Sequence, residues 1–233
     1  MYKGYKISIY FPCRNENENL GILKKSIPKF IDEILIISNL STDSTVATGK
    51  RLGFKVFEDN RIHKNGIGYG FANITGITEA TGDIIIGVDA DLTYPLNMIR
   101  NILDYFISND YDFLSCNRYP LKSNNNDVPL KIRLGIFMLN LEVLLLYGYK
   151  INDILTGMWI IKGSKKEMLR LTEGDWNLSP QIKLNAITNR NINFGEFHIP
   201  YVHRKKGVSK QNYFRTGLEH MLWIFINRFK KNY

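Results

Sequence analysis

Cysteine is nearly absent from this chain of 233 residues: Cys13 and Cys116 are the two present. A disulfide framework and a thiolate metal cluster are thereby excluded, and both thiols read as small core or strand-end residues. Uninterrupted apolar runs of membrane-spanning length are also missing, so no transmembrane helix is expected. The opening stretch MYKGYKISIYFPCRNENENL has no small-residue cleavage site after its apolar part, which reads as a strand. It lacks the pattern of a signal peptide, and a cytosolic protein is the expectation. Internal repeats and extended low-complexity tracts are absent. Negative charge is scarce, with 22 Asp+Glu against 31 Lys+Arg, a net charge of +9. Such a surplus suits nucleic acid, anionic lipid heads or phosphorylated ligands, against the plainer reading of a basic soluble surface. The excess is local, concentrated in HRKKGVSK (203–210) and NRFKKNY (227–233). What the chain does have is apolar content, 44%, enough for a substantial core. One α/β domain is a better prior for this length than two.

Strand-like and helix-like segments alternate through the first half. YKISIYF (5–11), EILIIS (33–38), FKVFE (54–58) and DIIIGV (83–88) are short and rich in β-branched or aromatic residues. Residues 17–31 carry Leu20, Leu23, Ile27 and Phe30 on one helical stripe. Residues 45–52, 67–80 and 95–108 are further helices, the last opening on a proline suited to a first helical turn. This rhythm predicts a mostly parallel sheet with helices on its faces. The second half is less regular. LKSNNNDVP (121–129) is a polar loop, and residues 130–149 are apolar nearly all round, broken by Asn140 and Glu142. That segment suits a core or a membrane surface. The last segment spaces Phe214, Leu218, Met221, Leu222, Phe225 and Phe229 helically among basic residues, which fits an interfacial helix and a core-packing helix equally.

The stretch GVDADLTYP (87–95) carries the chemistry. Ligands of open parallel sheets bind beyond the carboxyl ends of the strands, where Asp89 and Asp91 fall. Residues two apart in extended chain point the same way, so both carboxylates face one point. They repel unless a proton or a cation intervenes. A hard divalent ion, Mg²⁺ or Mn²⁺, resolves the conflict and also holds phosphate oxygens. GIGYGFA (66–72) lacks the Lys-Ser/Thr of a P-loop and the dinucleotide spacing, and reads as a close approach of helix and ligand.

Six stretches in order, FPCRNENENL, ISNLSTDST, NGIGYGFANITGITEATGDIIIGVDADLTYP, CNRY, NDILTGMWIIK and HIPYVHRKKGVSK, resemble those of family-2 glycosyltransferases with the GT-A fold. The likeness is to the dolichol- and polyprenyl-phosphate sugar synthase type and covers nearly the whole chain. It implies a Rossmann-like nucleotide-binding fold with a mostly parallel central sheet and a C-terminal amphipathic helix. It also implies a single domain 1–233, with a nucleotide-sugar half (1–119), an acceptor half (120–212) and the terminal helix (213–233). Asp89 and Asp91 become the metal ligands. Pro12, Arg14, Glu16, Ser38, Asn39, Gly70, Ala72 and Ala90 border the nucleotide sugar. Lys64 nearby reads either as a phosphate contact or as a solvated charge. Arg118, Arg133, Arg204 and Lys210 contact phosphates, Arg118 and Arg204 in the reaction itself, and Lys205 and Lys206 meet lipid heads. Ser38 and Asn39 stand where the family usually carries aspartate, which leaves uracil and guanine both open. Phe137 stands where a serine is common. Asp43 reads as an N-cap of the helix after it.

The acceptor follows from proton bookkeeping. A sugar hydroxyl needs a general base, whereas a lipid phosphate is already anionic. EGDWNLSPQIKL (173–184) has no adjacent Glu-Asp pair, which favours a phosphate acceptor. The expectation is transfer of a hexose from a GDP- or UDP-sugar to a polyprenyl phosphate, with peripheral attachment to the cytoplasmic face of a membrane and no nucleic acid partner. The alternatives are a hydroxyl acceptor, with Glu173, Asp175 or Asp153 as base, and a degenerate basic binding module. Asp153 before Thr-Gly reads first as a turn holder.

Overall fold

Ile84, Ile85 and Ile86 lie in succession with no polar neighbour between them, because both faces of the sheet that holds them are covered. The computed structural model describes residues 1–63, 65–118, 130–202 and 213–230. Its elements are β1 (Ile7–Cys13), α1 (Asn17–Ser26), β2 (Glu33–Asn39), α2 (Thr45–Arg51), β3 (Lys55–Asp59), α3 (Tyr69–Glu79) and β4 (Ile84–Gly87). There follow α4 (Ile99–Ser108), β5 (Phe113–Asn117), α5 (Leu130–Tyr147), β6 (Trp159–Lys162), α6 (Leu178–Thr188), β7 (Phe194–His198) and α7 (Tyr213–Phe229). The seven strands form one sheet in the order β3-β2-β1-β4-β6-β5-β7. All neighbours are parallel except β6, which is antiparallel to both β4 and β5. The mostly parallel sheet flanked by helices is the expected architecture.

Side-chain parity builds the two layers. Ile7, Ile9, Phe11, Ile84, Ile86, Leu114 and Ile160 point to one face, where Leu20 and Leu23 of α1 and Ile99, Ile102 and Phe106 of α4 meet them. Tyr10, Ile85, Phe113, Trp159 and Ile161 point to the other, against Ala72 and Ile77 of α3 and Ile182 and Ala186 of α6. A polar chain crosses this second core: Trp159 Nε1 donates to Tyr10 Oη at 2.9 Å, Tyr10 Oη to Asn73 Oδ1 at 3.1 Å, and Asn73 Nδ2 to the Tyr69 carbonyl at 2.9 Å. Gly87 and Gly76 leave the room it needs, since a Cβ on either would lie within 2.5 Å of a Trp159 or Tyr10 atom. Burial drives the Tyr10 hydroxyl far above the usual phenol range, so it stays a neutral donor and acceptor.

Several expected boundaries shift for local reasons. α1 stops at Ser26 rather than residue 31, because Ile27 precedes Pro28 and is extended (ψ 129°). α5 ends at Tyr147, and Gly148 follows in the left-handed region at φ +76°. The second half contributes β6, β7 and α6, which its irregular pattern did not reveal.

A third core joins α5 and α7 through Leu139, Val143 and Ile224. The apolar stripe of α7 faces mostly outward: Phe214, Leu218, Leu222, Phe225 and Phe229 are exposed, while Thr216, His220 and Ile224 are buried. α5 likewise exposes Leu134, Phe137, Met138, Leu141, Leu144 and Leu145. Glu142 lies among them, with Oε2 buried and unpaired. Burial raises its carboxyl to about 7. The folded state therefore holds this proton more tightly than the unfolded chain, and the associated stability is lost as pH climbs from the unfolded carboxyl range through 7. Glu142→Gln is expected to raise the Tm at about pH 8 and leave it unchanged near about pH 4, which a pH series of thermal melts checks.

Candidate active site

Chain order makes the rim where the site lies. From β1 the strands step outward to β2 and β3, then return to β4 on the other side. Their order thus reverses between β1 and β4, the switch point where open sheets take ligands. Asp89 follows β4 there. Because β6 runs antiparallel, its first residue pairs with the last of β4, Trp159 with Gly87. The Asn152–Gly157 loop therefore arrives beside Asp89, and β5, parallel to β4, delivers Arg118 to the same rim.

Val88 and Ala90 continue the β4 parity into the first core. Asp89 lies on the side of α3 and α6. Its Oδ1 accepts from the Tyr69 hydroxyl at 3.0 Å, and its Oδ2 lies so close to Gly157 that a Cβ there would stand 2.3 Å away. Asp91 folds onto its own turn, its Oδ1 accepting from Thr93 N at 3.1 Å and Thr93 Oγ1 at 2.6 Å. Leu92 between them is left-handed at φ +63°, a conformation costing a non-glycine residue about 1–2 kcal/mol. Strain of this kind gathers at functional turns. Among the described residues no cluster of three His, Cys, Asp or Glu forms. Two carboxylates alone suit a hard cation that completes its shell with phosphate oxygens and water, and do not suit a structural zinc. Gly157→Ala is expected to cut turnover about tenfold by displacing the Asp89 carboxylate, with the Tm little changed; steady-state kinetics beside a thermal melt checks it.

Arg118 and Asp153 form a buried pair. Arg118 Nε donates to Asp153 Oδ2 at 2.8 Å and Nη2 to Oδ1 at 3.2 Å, with Asp153 wholly buried. Asp153 also accepts from Leu155 N at 3.2 Å, the turn-holding role expected of it. The guanidinium lies 5.9 Å over the Tyr94 ring, and Tyr94 Oη accepts from Gly157 N at 2.6 Å. Asp175 is engaged too, by Asn65 Nδ2 at 3.1 Å, His63 Nδ1 at 3.3 Å and Asn177 N at 2.9 Å. Gln181 of the LSPQ stretch uses Oε1 to accept from Thr172 N and Glu173 N.

Among the residues expected to border the nucleotide, Pro12 is the last but one of β1, Arg14 Nη1 donates to Gly66 O at 3.0 Å, and Glu16 Oε2 accepts from Asn19 Nδ2 at 2.6 Å. Ser38 Oγ meets Ser41 Oγ at 2.9 Å. Asn39 is buried, its Nδ2 committed to the carbonyls of Asp59 and Arg61 at 2.8 and 2.9 Å. Its Oδ1 is thereby left as an acceptor without a partner. Asp43 departs from the expected cap. The N-cap of α2 is Ser44, and Asp43, one residue earlier, accepts from Thr45 N at 2.9 Å and Asn17 N at 3.3 Å.

Gly70 and Ala72 also require correction. The close approach Gly70 permits is to backbone of the same chain: a Cβ would stand 2.1 Å from Glu173 O, and its N donates to Gly174 O at 3.0 Å. Ala72 is buried in the second core and Ala90 in the first, because helix and strand periodicity turn both inward. Arg133 is exposed on the first turn of α5. Lys64, Arg204, Lys205, Lys206 and Lys210 lie outside the described residues. Sequence reasoning missed Tyr69, Tyr94, Gly157 and Lys183; all four lay inside quoted stretches, GIGYGFA, GVDADLTYP, NDILTGMWIIK and EGDWNLSPQIKL, but nothing in their spacing marked them as neighbours of Asp89.

Residues 8–174 match the model of the family described as glycosyl transferase family 2. The chain belongs to that family. This family 2 transferase is 26% identical over 216 residues to a dolichyl-phosphate hexose transferase of Haloferax volcanii, covering 91% of this chain and 89% of that protein. It is 32% identical over 120 residues to a dolichol-phosphate mannosyltransferase of Pyrococcus furiosus, covering 49% of this chain and 33% of the other. Among solved structures, glucosyl-3-phosphoglycerate synthase from Mycobacterium tuberculosis in complex with Mn²⁺, UDP and phosphoglyceric acid superposes with a TM-score of 0.73. That likeness has 14% identity and covers 97% of this chain and 78% of the other. At that identity it shows the fold, the GT-A architecture of the transferase.

Proposed function

We propose that this family 2 glycosyltransferase moves a hexose from a GDP- or UDP-linked sugar to a polyprenyl phosphate at a membrane surface. The observation that carries the reading is the engagement of Asp153 and Asp175. One is buried under Arg118 and the other is bonded on both oxygens, so neither suits deprotonation of a hydroxyl. An acceptor that is already anionic needs no such base. The dolichyl-phosphate transferase among the relatives agrees with it.

Asp89 and Asp91 would hold Mg²⁺ or Mn²⁺ with the donor diphosphate, and the ion when bound neutralises charge building on the leaving group. The acceptor phosphate oxygen attacks the anomeric carbon from the opposite side as the bond to the diphosphate breaks, giving inversion. Asn39 is turned inward, its Nδ2 on the Asp59 and Arg61 carbonyls and its Oδ1 buried, so recognition of a uracil or guanine base would fall to other groups of this rim. Arg118, with Arg204 and Lys210, supplies cationic surroundings for phosphate. The exposed apolar faces of α5 and α7 would dock on lipid; no helix of the described residues is long and apolar enough to cross a membrane.

Purified protein incubated with labelled UDP-glucose or GDP-mannose, Mn²⁺, and either polyprenyl phosphate or a glycan acceptor tests this. Label partitioning into solvent with the phosphate acceptor is expected. Transfer confined to the hydroxyl acceptor, and lost on substituting Glu173, would overturn it. Absence of any turnover alongside salt-sensitive nucleic acid binding would instead favour a binding module.

A further inference from the structure

Lys183 is a wholly buried lysine one helical turn into α6. Its ammonium donates to the Thr156 carbonyl at 2.7 Å and the Ser179 carbonyl at 2.9 Å, and lies 5.2 Å over the Trp159 ring. A buried charge is costly, and burial pulls this one down to about 7, opposed by Asp153, Asp89 and Glu196. The position gives a reason for the cost. Thr156 precedes Gly157, against which Asp89 Oδ2 rests. Ser179 faces the hydroxyl of Tyr69, which donates to Asp89 Oδ1. The lysine thus ties together the two supports of one carboxylate.

We infer that Lys183 is a positioning residue: by pinning the Thr156 and Ser179 carbonyls it fixes the Gly157 and Tyr69 walls that orient the Asp89 carboxylate toward its ligand. This rests on the proposal that Asp89 helps to hold a divalent cation. Lys183 contacts no ligand itself.

The test is Mn²⁺ affinity by electron paramagnetic resonance, without donor, on wild type, Lys183→Met, Tyr69→Phe, the double variant and Asp89→Asn, beside kinetics and thermal melts. Lys183→Met is expected to weaken Mn²⁺ binding and kcat/KM by about tenfold each, the scale of a lost support behind a metal ligand. A modest fall in Tm is expected beside it, because the buried Thr156 carbonyl loses a donor even though an apolar chain of similar volume fills the slot. The double variant is expected to lose less than the product of the two single losses, as residues acting through one carboxylate must. Wild-type Mn²⁺ affinity in Lys183→Met, or losses that multiply with those of Tyr69→Phe, would overturn the inference. If Asp89→Asn alone binds Mn²⁺ as wild type does, the metal reading itself fails. Should the methionine variant not fold, Lys183→Gln is measured instead: its side chain is one atom shorter and keeps a single amide donor group, so a smaller loss of Mn²⁺ affinity than that of a donor-free variant is expected, and losses that multiply with those of Tyr69→Phe would still overturn the inference.

Discussion

Asp89→Asn or Asp91→Asn is expected to lower glycosyl transfer by about 100- to 1,000-fold while leaving the fold intact, the scale seen when a group that stabilises transition-state charge is removed. The amide keeps the shape, and at residue 89 it still accepts from Tyr69 with its oxygen. What disappears is the negative charge that draws a divalent cation and, through it, the diphosphate. Stability is expected to hold, since the amide keeps the size and hydrogen-bonding oxygen of the carboxylate at either position. The measurement is kcat/KM for the donor over a Mn²⁺ series with a urea melt beside it. Full turnover in both single variants would mean that the rim carboxylates are not the metal site, whatever the family.

Arg118→Met has the largest expected effect on stability. It strands Asp153, which is wholly buried, without its cation. Breaking a buried ion pair from one side costs about 3–5 kcal/mol. Replacing both partners, Arg118→Met with Asp153→Leu, is expected to recover most of that loss, because two apolar chains remove the desolvation cost along with the attraction. The double variant then separates two roles. If the arginine only holds the Asn152–Gly157 loop in place, restored stability restores turnover. If its guanidinium also faces phosphate, turnover stays low in a well-folded protein. Urea melts and kinetics on the three variants distinguish these outcomes.

Much of the site was legible as a list of residues, and less as a set of contacts. The aspartate pair after DIIIGV could be read because strand ends and ligand sites coincide in open sheets. The left-handed Leu40 (φ +51°) occupies the turn after β2, next to Ser38 and Asn39. That Asn39 turns inward was not readable, since it depends on its Nδ2 meeting the Asp59 and Arg61 carbonyls. Gly70 is the reverse case. A glycine at a helix start signals a close approach, but the sequence does not say to what, and the partner is the 173–175 backbone.

The linear pattern alone determined the alternation of strands and helices in the first half, the aspartates at the sheet's rim and the family resemblance, because these depend on local period and composition. Only tertiary structure decided that β6 enters antiparallel beside β4, and with it the pairing of Arg118 with Asp153 and of Gly157 with Asp89. Strand order depends on contacts between segments some seventy residues apart, which no local period encodes. The outward turn of the α7 stripe was settled in the same way: the spacing defined an apolar face, and the packing of α5 on the opposite side determined that it would meet solvent.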